Sequence, residues 1–305
     1  MIGRTAHPGT QSAVADRLEA ALGQRPSSLA PLADGGHGAR VWRLDVGHDR
    51  LVAKVAARHL ASEGRMLRDL AAAGWPVPTV HFSDDGLLVM DWIDHDGGGL
   101  SDDGAAAFAE SLAALHAASV PADGEPPFGY RYDVMIGGLP QINERWGTWL
   151  EFFRWKRLWT AAWLALRRGR LPAVSMQRIE RLGARLGDWL QEPARPALIH
   201  GDLWAGNVLC RRGHVVAVID PAVSWSHREI EIAFTALFGG LPHAFYARYF
   251  ALNGAPPGFL ERRRDLYNLY PLLVHAALFG DPYSAMVART LDRYEGTQPG
   301  RIPGP

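Results

Sequence analysis

The stretch that most constrains this chain runs from Ala197 to Pro221, ALIHGDLWAGNVLCRRGHVVAVIDP. An apolar run, Ala197-Leu198-Ile199, ends at His200-Gly201-Asp202, and Asn207 follows five residues after the aspartate. Two further apolar runs, Val208 to Cys210 and Val215 to Ile219, flank Arg211-Arg212-Gly213-His214, and the second delivers Asp220. The pattern predicts a strand end, a loop and a β-hairpin with a Gly-containing turn. A carboxylate, a carboxamide and a second carboxylate then meet at one edge of a small sheet.

Phosphoryl transfer uses such a set: a carboxylate to orient and deprotonate the attacking hydroxyl, and oxygen ligands for the Mg²⁺ that bridges the phosphates. The run His200-Gly201-Asp202-Leu203-Trp204-Ala205-Gly206-Asn207, followed by Asp220-Pro221-Ala222, resembles the protein-kinase signature in order and spacing. An ordinary hairpin with solvated turn residues is the alternative, and a lone Asp-x₄-Asn would favour it. The His-Gly in front, the paired apolar runs and the terminal aspartate favour kinase-type chemistry.

A length of 305 residues holds two lobes or one large domain, with ample core. Thirty-two basic and 32 acidic residues give a net charge of +0, so no global field recruits nucleic acid or an anionic membrane. Neither is expected as a partner. The single cysteine, Cys210, excludes an intrachain disulfide and suits a reducing compartment. No apolar run approaches the roughly 18 residues of a membrane span, and the first residues, MIGRTAHPGT, lack a secretory core. The default expectation is cytoplasmic.

Along the chain, Val14, Leu18, Ala21 and Leu22 fall at helical spacing. Asp34-Gly35-Gly36-His37-Gly38-Ala39 then lies between two apolar strands, where a Gly-rich turn lets backbone amides approach phosphates without side-chain clash. Gly-rich hairpins are common, and the turn alone decides nothing. The next strand, Leu51-Val52-Ala53-Lys54-Val55, carries the only lysine of the first 150 residues inside an apolar run, where an unpaired ammonium is costly. Val-Ala-Lys is similar to the strand lysine that holds nucleotide phosphates in kinases. Glu63, near the start of a helix expected over Ala61 to Ala73, is its candidate partner; a macrodipole role in the first turn explains it equally.

Thr79 to Ser83 and Leu87 to Trp92 read as closing strands, and Met90-Asp91-Trp92-Ile93 as the hinge against which adenine would bind. Expected boundaries are an N-terminal nucleotide lobe over 1–94, a helical lobe over 95–295 and a disordered Gly/Pro-rich tail over 296–305. In the second lobe, Asp102 to Ser119 reads as a helix with His116 a core or helix-end residue, and Pro126 to Asn143 as loop. A long aromatic helix to Arg168 and a helix from Val174 to Leu190 follow. Most of the eleven tryptophans sit in the middle third and either fill a core or line a cleft. Ser224 to Phe238, Phe245 to Leu252, Leu260 to Phe279 and Ser284 to Leu291 complete the helices.

With these residues in view, the chain resembles the fructosamine/ketosamine kinase family. The resemblance rests on the run from His200 to Asn207 with Leu203-Trp204 inside it, Asp220-Pro221-Ala222 and His227-Arg228-Glu229. Leu139-Pro140-Gln141-Ile142-Asn143, Phe238-Gly239-Gly240 and Phe245-Tyr246 also match. It implies an α+β, two-lobed protein-kinase-like fold and ATP- and Mg²⁺-dependent phosphorylation of a ketoamine sugar, typically at the 3-hydroxyl, with deglycation as the outcome. It assigns Asp202 as base, Asn207 and Asp220 as metal ligands, and Lys54 with Glu63 as phosphate anchor. Gly35, Gly36, His37 and Gly38 fall to the nucleotide, and Trp204, His227 and Glu229 to the acceptor, Trp204 packing on the sugar or serving simply as core. The phosphate loop lacks the cysteine of some relatives, and Val274-His275-Ala276-Ala277 departs from the family pattern. Two rivals stand: an aminoglycoside or other small-alcohol kinase of the same fold, and a nucleotide-binding pseudokinase.

Overall fold

The computed structural model describes residues 11–34, 38–118, 125–254 and 257–295. Gly35, Gly36 and His37 of the expected phosphate loop, and the expected tail over 296–305, lie outside the described residues.

The N-terminal lobe comprises α1 (Gln11–Leu22), β1 (Ser28–Asp34), β2 (Arg40–Val46), β3 (Asp49–Val55), α2 (Leu60–Ala72), β4 (Val80–Ser83) and β5 (Leu87–Asp91). The strands form one antiparallel five-stranded sheet in the order β1-β2-β3-β5-β4. Alternation along the strands decides which side chain faces which helix. Trp42, Leu44, Leu51, Ala53, Leu87 and Val89 pack with Val14 and Leu18 of α1 on one face. Leu88 and Met90 pack with Leu60 and Leu67 of α2 on the other. Both faces are covered at β5, which is why Leu87 to Met90 is an unbroken apolar run. Ala53 points to α1, so its neighbour Lys54 must point to α2 and the cleft.

Helix α3 (Asp102–Ala118) opens the larger lobe. Asp96, in the connection before it, donates its backbone amide to Cys210 O and accepts the Arg212 amide at 2.7 Å, tying the linker to the hairpin of the second lobe. The Pro126 to Asn143 segment was expected to be loop; it contains a hairpin of β6 (Val134–Ile136) and β7 (Leu139–Gln141) joined by Gly137-Gly138, both at positive φ. A two-residue Gly-Gly turn following the apolar triplet Val134-Met135-Ile136 is the local signal of this hairpin.

The aromatic helix is α4 (Trp149–Phe152), a π-helical stretch (Phe153–Trp159) and α5 (Thr160–Arg167). Trp149, Phe152, Phe153 and Leu158 are fully buried, whereas Trp159 and Trp163 are exposed. Lys156 on this helix pairs with Glu144. Helix α6 (Ala173–Ala184) ends earlier than the expected Leu190, and a 3₁₀ turn (Leu186–Asp188) instead turns Trp189 and Leu190 into the core.

Then come β8 (Ala197–Ile199), the β9 (Val208–Arg211) and β10 (His214–Val218) hairpin, and β11 (Ser224–Ser226). β11, expected to lead a helix, is a strand paired antiparallel with β8. Helices α7 (Arg228–Thr235), α8 (His243–Asn253), α9 (Arg264–Phe279) and α10 (Tyr283–Glu295) complete the lobe. α9 is buried almost all round, from Leu266 to Ala277, and is the axis on which the others pack. The whole is an α+β, two-lobed, kinase-like arrangement.

Candidate active site

Between the lobes lies a cleft of about 990 Å³, and it contains Lys54, Glu63, Asp202, Asn207 and Asp220 together. Lys54 Nζ donates to Glu63 Oε1 at 2.6 Å and also pairs with Asp220. Burial by itself would lower the lysine pKa, yet the carboxylates of Glu63 and Asp220 outweigh it and hold the ammonium charged. Burial raises the Glu63 carboxyl against the pull of Lys54, while the same ammonium keeps Asp220 below the ordinary carboxylate value despite burial. Asp220 reaches Lys54 because its own backbone is left-handed, at φ 57°, a conformation aspartate adopts at modest cost.

Asp202 is aimed by its neighbours. Gly201 sits at φ 84°, and a Cβ there would meet the Ala222 carbonyl oxygen at 2.0 Å, so only glycine lets the chain pass. His200 is fully buried; its Nε2–H donates to Ile219 O at 3.0 Å and its Nδ1 accepts the Asp202 amide at 3.3 Å. Burial lowers the imidazole pKa, consistent with that neutral tautomer. Asn207 Nδ2 donates to Asp202 O at 2.8 Å and to Asp202 Oδ2 at 3.2 Å. Burial pushes the Asp202 carboxyl up to about 7, opposed by the Asn207 hydrogen bond and assisted by Asp220 and Glu231. That places it where a general base works near neutrality.

Behind the site stands a buried polar scaffold. Glu231 of α7 accepts the amides of His200 and Gly201 and touches His116 Nε2 at 3.1 Å, with Tyr249 on the other ring nitrogen. His116 is therefore a core histidine, not a ligand. Gln141 and Asn143 donate to the carbonyls of Ala222 and Val223, just past Asp220, and Arg157 in turn holds Asn143 Oδ1 at 2.7 Å. The Gln141-Ile142-Asn143 run thus braces the chain after Asp220.

His227 and Glu229 are not in the cleft: Glu229 is 6% exposed and holds Arg263 bidentately at 2.7 and 2.9 Å. His227 caps α7 by accepting the Glu229 amide, and burial pushes its pKa down to about 3. Both line a separate cavity of about 270 Å³ whose wall does not include Asp202. Met90, Asp91, Trp92 and Ile93 do line the cleft. The Trp92 amide is spent on Arg50 O. Trp204 lines the cleft beside Asp202, 38% exposed, with its ring lying over Gly206. Gly38 is at φ 83° next to open space. The cleft also includes Arg58, His59, His95 and the β6–β7 turn, none singled out by sequence; only the turn left a readable signal.

Two oxygens suit a hard cation. Asn207 donates through Nδ2 in both of its side-chain hydrogen bonds, nothing among the described residues donates to its Oδ1, and Asp220 retains nearly half of its side-chain surface in solvent. No group of three or more His, Cys, Asp or Glu capable of holding a metal occurs among the described residues. A cation here would rely on phosphate oxygens and water for the remaining ligands, as Mg²⁺ does in nucleotide sites.

A family profile described as fructosamine kinase matches residues 12–296. A Synechocystis protein provisionally named a ketoamine kinase is 38% identical, over 71% of this chain and 70% of its own length. The rice (Oryza sativa subsp. japonica) chloroplastic protein-ribulosamine 3-kinase is 34% identical over 68% of this chain and 58% of its own. Among solved structures, a provisionally named fructosamine-3-kinase from Thermobifida fusca superposes with a TM-score of 0.80 at 32% identity, covering 93% of this chain and 98% of that one. An aminoglycoside phosphotransferase solved with ADP and hygromycin B shares the fold alone, with a TM-score of 0.62 at 19% identity, covering 93% of this chain and 100% of its own. With a match to the family profile over nearly its whole length and a kinase-like cleft beneath it, the chain belongs to the fructosamine kinase family.

Proposed function

We propose that the chain transfers the γ-phosphoryl group of ATP to the 3-hydroxyl of a ketosamine, with Asp202 as base. The observation that carries this reading is the convergence of Asp202, Asn207, Asp220 and Lys54 on one cleft with Trp204 at its acceptor side. Family membership supports phosphorylation of a ketoamine sugar hydroxyl, with ATP as donor.

In this mechanism the acceptor hydroxyl hydrogen-bonds to Asp202, attacks the γ-phosphorus in line and passes its proton to the carboxylate. Asn207 fixes the rotamer of Asp202 through Nδ2. Lys54, kept charged by Glu63 and Asp220, offsets phosphate charge. Asn207 Oδ1 and Asp220 would hold Mg²⁺, which when bound neutralises charge on the phosphates. Adenine would lie against Met90 to Ile93, where the Ile93 amide has no protein partner among the described residues. The indole of Trp204 offers an apolar face to the C–H side of the sugar.

Sugar on a free amine and sugar on a protein lysine are both within this reading. An aminoglycoside acceptor is not favoured, since those kinases share the fold alone. ADP release measured with ribulosyl- and fructosyl-lysine against kanamycin-type acceptors tests it. Stimulation by the ketosamines is expected; stimulation by aminoglycosides alone, or by no acceptor, would overturn it.

A further inference from the structure

Trp204 begins a continuous row of partly exposed rings. Its centroid lies 6.5 Å from that of Phe238, and Phe238 lies 4.6 Å from His275 and 6.2 Å from Tyr283. Beyond them Phe279 lies 5.8 Å from His275 and 6.0 Å from Tyr283. Four separate pieces of chain supply these rings: the catalytic loop, the turn after α7, the end of α9 and the start of α10. Unlike the buried Trp149 group, this row keeps aromatic surface in solvent along its length, and Phe279, at its outer end, is 53% exposed. Exposed, contiguous aromatic surface beside a reaction centre marks a binding face.

The substrate itself says what lies there. A ketosamine is a sugar joined through C1 to an amine; with its hydroxyl at Asp202 and its C–H face on Trp204, the N-linked substituent would leave the cleft past that indole. We propose that Trp204, Phe238, His275, Tyr283 and Phe279 form a subsite for that substituent, favouring flat or apolar groups such as a benzyl group or the methylenes of a lysine side chain. The inference rests on the ketosamine reading given above and adds the part of the substrate beyond the sugar. Ring faces also attract the secondary ammonium at the junction. His275 uses Nδ1–H to bond Pro271 O at 2.8 Å, and burial lowers its pKa, so it adds no like charge opposite that ammonium.

The experiment compares kcat/KM for two ketosamines of the same sugar, one N-methyl and one N-benzyl, in the wild type, Phe279→Ala and Phe279→Tyr. The wild type should prefer N-benzyl by roughly tenfold, as burial of one more aromatic ring predicts. Phe279→Ala should cut that ratio to about threefold or less, and Phe279→Tyr should restore it. A wild-type ratio near one, or equal losses on both acceptors in Phe279→Ala, would overturn the subsite. Failure of the wild type to phosphorylate either acceptor would instead sink the ketosamine reading. In that case calorimetric titration with the N-benzyl compound still decides the subsite: binding weakened by Phe279→Ala supports it, and no binding overturns it.

Discussion

The carboxylate of Glu231 accepts the backbone amide of His200 at 3.0 Å, so the loop that carries Asp202 hangs from α7. Its other oxygen takes the Gly201 amide at 2.8 Å. Glu231→Ala leaves a buried and a half-buried amide unpaired and should cost roughly 2–5 kcal/mol, lowering the thermal midpoint of a chain this long by roughly 3–8 °C. Glu231→Gln keeps an acceptor but removes a charge that raises Asp202, so the acid limb of its pH–rate profile should move to lower pH. An unchanged midpoint in the alanine variant would show that the loop does not depend on α7.

The pH dependence follows from Asp202, whose carboxyl is pushed up to about 7. As a base it must be ionised, so kcat/KM should fall about tenfold per pH unit below that value and level off above it. The folded state binds this proton more tightly than the unfolded state does. Stability from this group is therefore present below the ordinary carboxylate value near 4 and lost as pH rises to about 7. Asp202→Asn should reduce kcat by roughly 10²–10⁴-fold with nucleotide affinity nearly unchanged. Its midpoint at pH 8 should equal or exceed that of the wild type, and the gap should close towards pH 4. A midpoint well below wild type at pH 8 contradicts the burial argument.

Lys54 separates two carboxylates that otherwise repel. Lys54→Ala should cost roughly 2–4 kcal/mol at pH 8, less than a fully buried pair because Asp220 keeps solvent contact. The deficit should shrink by pH 5 as a carboxylate takes up a proton, and the KM for ATP should rise roughly tenfold or more. Thermal melts at the two pH values with a nucleotide titration check both; an equal loss at each pH would argue against the repulsion.

The buried Glu229–Arg263 pair predicts a purely structural phenotype. Arg263→Ala should lower stability by roughly 3–5 kcal/mol while the acceptor KM of the remaining folded enzyme stays within about twofold. A tenfold rise in that KM without loss of stability would return Glu229 to the acceptor site.

At Gly206 an added Cβ would fall 2.2 Å from the Trp204 ring. Gly206→Ala should displace the indole and raise the acceptor KM by roughly tenfold, leaving the ATP KM within about twofold. Equal effects on both substrates would mean that Trp204 serves the loop and not the acceptor.

How much of this was legible in sequence differs between the two sides of the cleft. Asp202, Asn207 and Asp220 are close in the chain and set by one hairpin, so spacing alone brings them together. Lys54 was marked by an ammonium in an apolar strand, and its partner Glu63 by proximity nine residues on. His227 and Glu229 were placed at the acceptor by the family resemblance alone, and the residue that holds Glu229, Arg263, lies 34 positions further on, where no local pattern points to it. The aromatic row was invisible for the same reason, since Trp204, Phe238 and Phe279 belong to elements that only tertiary packing brings together.

Lys54 and Lys156 are the two lysines of the sequence, the other basic residues being arginines. Each is tied to a carboxylate, Lys54 to Glu63 and Asp220, and Lys156 to Glu144, with 11% and 17% of their side chains exposed. Reducing sugars condense with free, uncharged amines, and a paired ammonium is a poor nucleophile towards them. A catalyst that works among glycated amines therefore presents almost none of the side chains from which such adducts grow, and its phosphate anchor is shielded from the damage it is proposed to reverse.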